Sequence, residues 1–165
     1  MYYTTYLSPI GELSILSDGN SITGIHFDYE ISVEERRDNL PVFIAALKWL
    51  DCYFGGRNPD TNTLPLKPEG TPFQKLVWSM LLKIPYGETI SYGSLASRAA
   101  AALGKTAMSA QAIGGAVARN PIVIVIPCHR VLGAKGQLTG FSCGINRKRY
   151  LLDLEKIQYN ETSRD

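Results

Sequence analysis

The sequence predicts a two-domain protein of the α/β (α+β) class, with an N-terminal antiparallel three-stranded sheet plus one helix and a mainly helical C-terminal domain. Strand-like segments separated by turn residues fill residues 2–28, whereas helical periodicity dominates after residue 70. Between these halves, residues 55–70 contain three prolines and three glycines and show no periodicity. This composition is typical of a linker. We therefore expect one domain over residues 1–70 and a second over residues 71–165.

The charge of the chain is divided unequally between these halves. The 165 residues have a formal net charge of +2, but residues 1–70 hold five Lys and Arg against ten Asp and Glu, a charge of −5. Residues 71–165 hold twelve against five, a charge of +7. A basic half joined to an acidic one indicates a polyanionic partner for the second domain, although solvated surface charge would give the same count.

The composition argues against a membrane or secreted protein. No apolar stretch is long enough to cross a bilayer, and the N-terminus lacks the basic and apolar regions of a secretory signal. The three cysteines, Cys52, Cys128 and Cys143, are odd in number and irregularly spaced, which fits a reducing compartment better than a disulfide framework. We expect a cytoplasmic protein, or a nuclear one in a eukaryote, with no membrane partner.

The first domain should contain three short strands, over YYTTYL, ELSILS and SITGIHFD. Their order and the turn residues between them are typical of an antiparallel meander. A helix with an apolar stripe should begin at Pro41 and end at Gly55, and it should cover one face of the sheet. We interpret Cys52 in this helix and His26 in the third strand as structural residues.

The second domain opens with the clearest helix signal in the chain. The segment TPFQ has the pattern of a capping box, in which Thr71 caps the helix and the side chain of Gln74 bonds back to it. Apolar residues then recur at helical spacing until Pro85. Two further helices are predicted from Ser91 and from Thr106. Such a pair has the form of a helix-turn-helix, but any helical hairpin with a glycine turn looks similar.

The second helix of this pair has an unusual face. Opposite its apolar side lie small residues and one long polar one, namely Ala107, Gln111, Gly114, Gly115 and Ala118. Glycine within a helix costs about 1 kcal/mol relative to alanine, so two adjacent glycines indicate that another backbone approaches closely. Tight packing within the core would explain them, and so would contact with a nucleic acid.

The most apolar run in the chain leads to its most reactive residues. Residues 122–126, IVIVI, are all β-branched and show no polar alternation, which predicts a strand buried on both faces. Pro127 cannot donate a hydrogen bond to a sheet, so the chain should leave the strand there. Cys128, His129 and Arg130 would then lie on a turn at the end of a rigid element.

The terminal helix predicted over residues 145–156 contains one anomaly. Glu155 falls between Leu151 and Leu152 on a helical wheel, so a carboxylate would occupy the face that should be buried. A buried carboxylate needs a partner, because an unpaired one is costly. A histidine or a bound water network could serve, and so could an ion pair with Lys148 on the same face.

Cys128, His129 and Glu155 together supply a thiol, a base and an orienting carboxylate, which is the general composition of an activated cysteine nucleophile. Adjacent side chains point apart in an extended segment, so His129 would have to reach Cys128 through a turn or a bridging water. The residues alone therefore indicate a cysteine nucleophile without naming its substrate.

The motifs around this cysteine resemble those of the O6-alkylguanine-DNA alkyltransferases, or methylated-DNA–protein-cysteine methyltransferases. The segment IPCHRV at 126–131 looks like the active-site motif of that family. It is accompanied in order by GTPFQ with Val77 and Trp78, by IPYGETISY, by IGGA at 113–116, by Asn120 and Pro121, by Phe141 and Ser142, and by an ending with Arg147, Lys148 and Glu155. The resemblance covers most of residues 70–156. The N-terminal half agrees in general pattern with the ribonuclease-H-like domain of the family.

The resemblance implies direct and irreversible DNA repair. Such a protein flips an O6-alkylated guanine out of duplex DNA and moves the alkyl group onto its own cysteine, with O4-alkylthymine as a further candidate substrate. It acts as a monomer, once per molecule, and needs no cofactor. Its winged-helix-like C-terminal domain binds double-stranded DNA through the minor groove.

The resemblance also assigns a role to each site residue. Cys128 would be the acceptor, His129 its base acting through a water, and Glu155 the carboxylate that orients His129. Asn120 would brace the turn before the active-site loop, and Tyr92 would donate a hydrogen bond to the flipped purine. The base pocket would be formed by Val131, Phe141, Ser142, Cys143 and Lys148. The DNA-binding residues would be Ala107, Gln111, Gly114, Gly115, Ala118 and Arg119.

Three features depart from the family pattern. Gln111 stands where the family usually has an arginine that fills the place of the flipped base, so base extrusion or DNA affinity should be weaker. The turn RAAAALGKT looks longer than the common form, and Cys143 occupies a position that is often glycine. The cysteines and histidines of the metal site in some animal members have no counterparts here, so no metal is expected.

Three other interpretations compete with alkyl transfer. An alkyltransferase-like protein that only binds the lesion lacks the acceptor cysteine, so Cys128 counts against it. A Cys-His-Glu hydrolase would turn over an ester or a peptide, but it leaves the basic half and the small-residue helix face unexplained. A plain winged-helix DNA-binding protein would keep its function without Cys128.

Overall fold

The computed structural model describes residues 1–161, which form two compact units. The first unit comprises Met1–Glu69 together with Pro121–Val125, and the second comprises Gly70–Asn120 together with the residues from Ile126 onward. The first is a sheet with a helix and the second is mainly helical, which confirms the predicted two-domain α+β class. The short segment Pro121–Val125 lies in the first unit although it is distant from it in sequence.

The first unit, all of whose residues are described, is built on a four-stranded sheet of order β3-β2-β1-β4. The strands β1 (Tyr2–Ser8), β2 (Gly11–Ser17) and β3 (Ile22–Phe27) form the predicted antiparallel meander. The two-residue strand β4 (Glu35–Arg36) was not predicted, and it runs parallel to β1 at the sheet edge. Its exposed charged residues show no alternation, so their pattern could not reveal a strand.

The helix α1 (Pro41–Phe54) has the predicted bounds, with proline in its first turn and Gly55 as its C-cap. Its apolar stripe is buried, as Phe43 and Leu50 are both fully inaccessible to solvent. A hydrogen bond of 2.8 Å from the Tyr6 hydroxyl to Asp51 Oδ1 connects β1 with this helix. The predicted packing of the helix on the sheet is therefore confirmed.

The apolar run at residues 122–126 is buried as expected, but the prediction of a strand is wrong. Ile122 forms a single parallel bridge with Ile25 of β3, and the chain then turns. At Ile124 φ is 73°, and the Val125 amide donates to the Val123 carbonyl at 2.9 Å, which makes a γ-turn. Such a conformation costs about 1–3 kcal/mol for a non-glycine residue, so the surrounding packing must impose it.

The second unit begins with α2 (Pro72–Leu81), β5 (Ile90–Ser91) and α3 (Tyr92–Ala102). Both reciprocal hydrogen bonds of the predicted capping box are present at the start of α2. This helix ends at Leu81, so Ile84 lies in the turn beyond it and not on its apolar stripe. The side chain of Ser91 caps α3 by accepting a hydrogen bond from the Ser94 amide.

The helix α4 (Ala110–Ala118) begins later than the predicted start at Thr106. Serine is a favoured N-cap, and Ser109 accepts a hydrogen bond of 3.0 Å from the Ala112 amide. Residues 103–109 are therefore a loop, which is longer than the glycine turn expected between the two predicted helices. Ala107 lies in this loop, so its predicted place on the helix face is wrong.

A two-stranded parallel sheet joins distant parts of the second unit. The strand β6 (Val131–Leu132) pairs with β5, and α5 (Ile145–Leu154) follows after a loop. Leu132 of β6 and Leu152 of α5 belong to one buried apolar cluster. Among the residues that the structure describes, no helix is long and apolar enough to cross a membrane.

Gly70 precedes the cap of α2, and an added methyl group would collide with Trp78. A Cβ at Gly70 would lie 2.4 Å from Trp78 Cη2 and 2.7 Å from Gln74 Oε1. The ring of Trp78 is buried, and its N–H donates to the Ala116 carbonyl at 2.9 Å, so it cannot move without losing that bond. We expect Gly70→Ala to lower the free energy of unfolding by about 1–3 kcal/mol, measured by chemical denaturation.

Gly93→Ala is the matched control, because a Cβ at Gly93 would meet nothing closer than Ser91 Oγ at 3.9 Å. This variant should be as stable as the wild type or slightly more stable, since alanine favours a helix over glycine. If Gly70→Ala unfolded at the same denaturant concentration as Gly93→Ala, the proposed clash with Trp78 would be absent.

Candidate active site

One 3₁₀ turn carries Cys128, His129 and Arg130, and the residues before it determine where it begins. Pro127 has φ −82° and ψ 64°, and the Cys128 amide donates to the Ile126 carbonyl at 2.8 Å, so the chain bends at the proline in an inverse γ-turn. All three side chains of the turn are buried, with Cys128 2% exposed. The turn predicted after Pro127 is thus present, and it places a thiol and an imidazole inside the protein.

Asn120 holds the start of this turn in place from the residue that follows the C-cap of α4. It is buried, and its Nδ2 donates to the Ile126 carbonyl at 2.7 Å. Asn120 also acts to lower the pKa of the Cys128 thiol, because a hydrogen-bond donor favours the ionised sulfur. Asn120 therefore holds the turn that carries the nucleophile and favours the thiolate form.

The Glu155 carboxylate, directly after α5, is the centre of a buried hydrogen-bond cluster. Its Oε2 lies 2.6 Å from His129 Nε2, and its Oε1 accepts from the Gly87 amide at 3.0 Å. Arg130 donates from Nε to Oε1 at 2.8 Å and from Nη2 to Oε2 at 3.2 Å. Histidine is therefore a partner of Glu155, which was one of the possibilities that the sequence left open. The alternative of an ion pair with Lys148 is wrong, because the Lys148 ammonium bonds elsewhere.

The charges of this cluster follow from its burial and its bonds. Burial acts to raise the pKa of Glu155, but the hydrogen bonds from His129 and Arg130 outweigh it and lower the pKa to about 2. Burial lowers the pKa of His129, and the bond to Glu155 offsets only part of this effect. The carboxylate is therefore ionised and the imidazole neutral at pH 7. Because His129 Nε2 faces Glu155, any proton exchange with the thiol has to use the buried Nδ1.

The thiol of Cys128 is held in its neutral form. Burial raises its pKa to about 12, and the hydrogen bond from Asn120 and the charge of Lys148 act against this rise only in part. A neutral thiol is a poor nucleophile, so a base must ionise it before it can react. His129 is the adjacent residue that has the chemistry of such a base.

Lys148 extends from α5 into the protein, and its side chain is fully buried. Its Nζ donates to the Val131 carbonyl at 2.7 Å and to Thr139 Oγ1 at 3.4 Å, and it lies 5.9 Å from the centre of the Phe141 ring. Burial lowers the pKa of this ammonium to about 8. Lys148 therefore connects α5 with the glycine-containing loop that follows β6.

A cavity of about 210 Å³ brings together residues that the sequence assigned to the base pocket and to the DNA-binding helix. It is lined by Tyr92, Gly114, Val117, Ala118, Gly140, Phe141 and Ser142. Burial raises the pKa of Tyr92, which is one of these lining residues. Pockets for drug-sized ligands measure about 300–1,000 Å³, and this smaller cavity suits a group such as a single base. Val131 and Cys143 do not line it.

One face of α4 is open. Gln111, Gly115 and Ala118 are exposed, as is Arg119 at the end of the helix, whereas its apolar side is buried. Nothing within the described chain lies within 4 Å of the position that a Cβ would occupy at Gly114 or Gly115. The interpretation that these glycines permit tight packing in the core is therefore wrong, and the face can accept an external partner.

Arg130, Gly87 and Thr139 belong to the site, although the sequence alone indicated no role for them. Arg130 directly follows His129, and a buried arginine needs an acidic partner because a charge inside a protein needs a counter-charge. This position was the available signal for its role. Gly87 contributes only a backbone amide, and Thr139 contributes a hydroxyl from a glycine-rich loop. Neither contribution has a signature in a single sequence.

These features define a class of protein. A buried thiol lies beside a histidine that a carboxylate orients, and in the same unit one side of α4 forms a wall of a cavity. Cys52, Cys128 and Cys143 form no disulfide, and no cluster of three or more His, Cys, Asp or Glu side chains within residues 1–161 is arranged to hold a metal ion. The arrangement is that of a group-transfer protein that uses a cysteine nucleophile.

The chain belongs to the 6-O-methylguanine DNA methyltransferase family. Residues 1–68 match the ribonuclease-like domain of this family, and residues 72–157 match its DNA-binding domain. The match therefore includes nearly all of both structural units, and it confirms the resemblance that the motifs indicated.

Individual relatives agree with this assignment over most of their length. The chain is 47% identical to a methylated-DNA–protein-cysteine methyltransferase of Haemophilus influenzae, over 96% of this chain and 88% of that protein. It is 43% identical to the protein of the same name from Mycobacterium tuberculosis, over 94% and 93% of the two chains. The crystal structure of Mycobacterium tuberculosis OGT in complex with DNA superposes with a TM-score of 0.81 at 42% identity, covering 94% of this chain and 93% of that one.

The burial of Cys128 predicts an unusual pattern of thiol reactivity. Because its pKa is raised to about 12, only roughly one thiol in 10⁵ is ionised at pH 7, so iodoacetamide should alkylate it slowly in the native protein. The rate should rise about tenfold with each pH unit as the thiolate fraction increases. Peptide mass spectrometry after timed labelling between pH 7 and pH 9 measures this rate.

Cys143 is the internal control, because it is less buried than Cys128 and lies in the same unit. It should be labelled faster than Cys128 at every pH, and labelling in urea should remove the difference. Native Cys128 that reacted as fast as Cys143 at pH 7 would show that the resting thiol is not protected.

Proposed function

We propose that this protein repairs alkylated DNA directly, by transferring a methyl or larger alkyl group from the O6 of guanine in duplex DNA to Cys128 Sγ. The observation that carries the proposal is the buried thiol beside His129 and Glu155, in the same unit as a base-sized cavity that has α4 as one wall. Relatives named methylated-DNA–protein-cysteine methyltransferase support it. So does the structural neighbour that is bound to DNA.

The reaction begins with the ionisation of Cys128. His129 Nδ1 takes the thiol proton through a bridging water, and Glu155 stabilises the imidazolium that forms. The sulfur then attacks the alkyl carbon, so that a C–S bond forms as the C–O6 bond breaks and its electron pair stays on guanine. The guanine anion takes up one proton, which balances the proton lost by the thiol. A thioether has no easy reverse reaction, so each molecule acts once and no cofactor is needed.

The cavity receives the flipped base. An alkylated guanine in a duplex is out of reach of a buried thiol, so it has to leave the base stack. Tyr92, Phe141 and Ser142 line the cavity and contact the base there, with Tyr92 donating a hydrogen bond to the purine. Lys148 lies behind Phe141, and Asn120 keeps the sulfur at the start of its turn.

The open face of α4 binds the minor groove of the DNA. That groove is about 6 Å wide, so a face formed by Gly115 and Ala118 can approach where larger side chains could not. Gln111 enters the duplex beside the flipped base, and Arg119 contacts phosphate. The charge of +7 on residues 71–165 favours this binding.

A single chain is sufficient for this reaction, because every site residue lies in the second unit of one molecule. We therefore propose a monomer. Its three cysteines form no disulfide, which fits a reducing compartment that contains DNA, namely the cytoplasm of a bacterium or archaeon and the nucleus of a eukaryote.

Intact-mass analysis tests the function. The protein is mixed with duplex DNA that contains one O6-methylguanine, and we expect a gain of one methyl group that peptide mapping assigns to Cys128. Cys128→Ser and an undamaged duplex are the controls, and neither should give the modified protein. An unchanged mass with the lesion still in the DNA would rule out transfer, and continued turnover beyond one lesion per protein would indicate a hydrolytic enzyme instead.

Gly115→Ala should weaken DNA binding without lowering the stability of the protein. A Cβ at Gly115 meets nothing within 4 Å, and alanine favours a helix by about 1 kcal/mol, so the variant should be as stable as the wild type or more stable. Its affinity for lesion-containing DNA should nevertheless fall at fixed salt concentration, because the methyl group holds the backbone away from the groove. Fluorescence anisotropy measures the affinity.

Two further variants calibrate this result. Gly93→Ala makes the same change on α3, outside the proposed contact face, and should bind DNA as the wild type does. Gln111→Arg adds bulk and a positive charge to the contact face itself, so it should tighten DNA binding or speed repair. Unaltered affinity in both Gly115→Ala and Gln111→Arg would show that α4 does not contact DNA.

A further inference from the structure

Asn160, near the C-terminal end of the described residues, is hydrogen-bonded to the loop that follows β6. Its amide donates to the Gly136 carbonyl at 2.8 Å, and its carbonyl accepts from the Leu138 amide at 2.6 Å. Its side chain donates from Nδ2 to the Lys135 carbonyl at 2.6 Å. The backbone bonds make a parallel bridge between Gln137 and Asn160. One residue therefore holds this loop through three hydrogen bonds.

The turn that is held in this way has an unfavourable backbone conformation. The angle φ is 57° at Lys135 and 73° at Gly136, and the Gln137 amide donates across the turn to the Ala134 carbonyl at 3.2 Å. A positive φ is disfavoured for lysine because its Cβ comes too close to the following carbonyl oxygen. The bond from Asn160 Nδ2 to the Lys135 carbonyl therefore stabilises a peptide orientation that the local sequence does not favour by itself.

The segment that carries Asn160 is itself attached to α5. Ile157 belongs to the buried apolar cluster that includes Leu152 of this helix. The Tyr159 hydroxyl donates to Asp153 Oδ1, also in α5, at 3.0 Å. Because the segment is anchored at these points, the bonds from Asn160 fix the loop relative to α5.

The loop leads directly into one wall of the cavity. Leu138 is separated only by Thr139 from residues 140–142, all of which line the cavity. On the other side of this connection, Thr139 Oγ1 accepts from Lys148 Nζ of α5 at 3.4 Å. The position of the wall relative to α5 thus depends on two contacts, one from Lys148 and one from Asn160.

We propose that Asn160 is a positioning residue for alkyl transfer, which acts by holding the loop that forms one wall of the base cavity. This inference rests on the proposed function. The alkyl carbon has to lie within about 3–3.5 Å of the sulfur before it can react, so a small displacement of the wall slows transfer. Asn160 lies outside α4, the helix that we assign to DNA, so its substitution should leave the affinity for DNA unchanged.

Hydrogen exchange without DNA tests whether the side chain of Asn160 holds the loop. Asn160→Ala removes the bond to the Lys135 carbonyl, and Asn160→Asp keeps the size of the side chain but places a negative charge against that carbonyl oxygen. By NMR, the Leu138 amide should exchange about 2- to 10-fold faster in Asn160→Ala, the size expected from one hydrogen bond, and at least as fast in Asn160→Asp. The Gly87 amide, which donates to Glu155, should be unchanged.

Single-turnover transfer from a duplex with one O6-methylguanine, at a temperature where every variant is folded, provides the second measurement. Asn160→Ala should lower the rate at saturating DNA about 2- to 10-fold, while the DNA concentration for half-saturation stays the same. Asn160→Asp should be at least as slow. Glu161→Gln is the matched control, because it weakens only an exposed ion pair of 2.6 Å with Arg149 in the same segment. It should keep the wild-type rate and half-saturation.

Specific results would overturn the proposal. A Leu138 amide that exchanges at the wild-type rate in both variants would show that the side chain of Asn160 does not hold the loop. Faster exchange together with wild-type transfer would reduce Asn160 to a structural residue, and an equal loss of rate in Glu161→Gln would assign the effect to the whole segment. Failure of the wild type to transfer an alkyl group would contradict the proposed function instead, and hydrogen exchange would still report on the loop because it needs no DNA.

Discussion

One buried carboxylate organises the second unit. Glu155 accepts hydrogen bonds from the side chains of His129 and Arg130 and from the amide of Gly87. A carboxylate inside a protein is stable only when donors replace the water that it has lost, and all of these donors are needed for that purpose. The same bonds attach the end of α5 to the Cys128 turn and to the loop before β5. The orientation of the histidine and the stability of this unit therefore depend on the same few atoms.

The arrangement also keeps the reactive groups inactive until they are needed. Arg130 neutralises Glu155 and donates from Nη1 to the Ile84 carbonyl at 2.7 Å, so the carboxylate stays ionised and fixed. A proton taken up by His129 then remains on the imidazole, because Glu155 has little tendency to accept it. At rest the site combines a neutral thiol with a neutral base. Burial protects the sulfur from unspecific reaction, and the adjacent imidazole provides the route to its ionisation.

Sequence patterns were sufficient wherever an element is determined by local chemistry. Thr71 and Gln74 define the start of α2 because capping involves only neighbouring residues. The fold class and the turn after Pro127 could be predicted for the same reason. The strand assigned to residues 122–126 was wrong because an apolar run does not distinguish a strand from a tightly packed turn, and only tertiary contacts impose the positive φ of Ile124. The partner of Glu155 was left open because a helical wheel shows that a charge is buried but not which distant loop meets it.

The small parallel ladder of β5 and β6 has a consequence for how this protein can change. Ile90 pairs with Val131 and Ser91 with Leu132, so the ladder sets the register between Tyr92 and the Cys128 turn. The loop at residues 103–109 lies outside the ladder, in the part of the sequence between Tyr92 and the Cys128 turn. Insertions or deletions in that loop can alter how the surface of the unit is presented while the paired strands keep the spacing of the reacting groups. Evolution can therefore vary recognition and chemistry separately in this unit, although both are encoded within a short stretch of one chain.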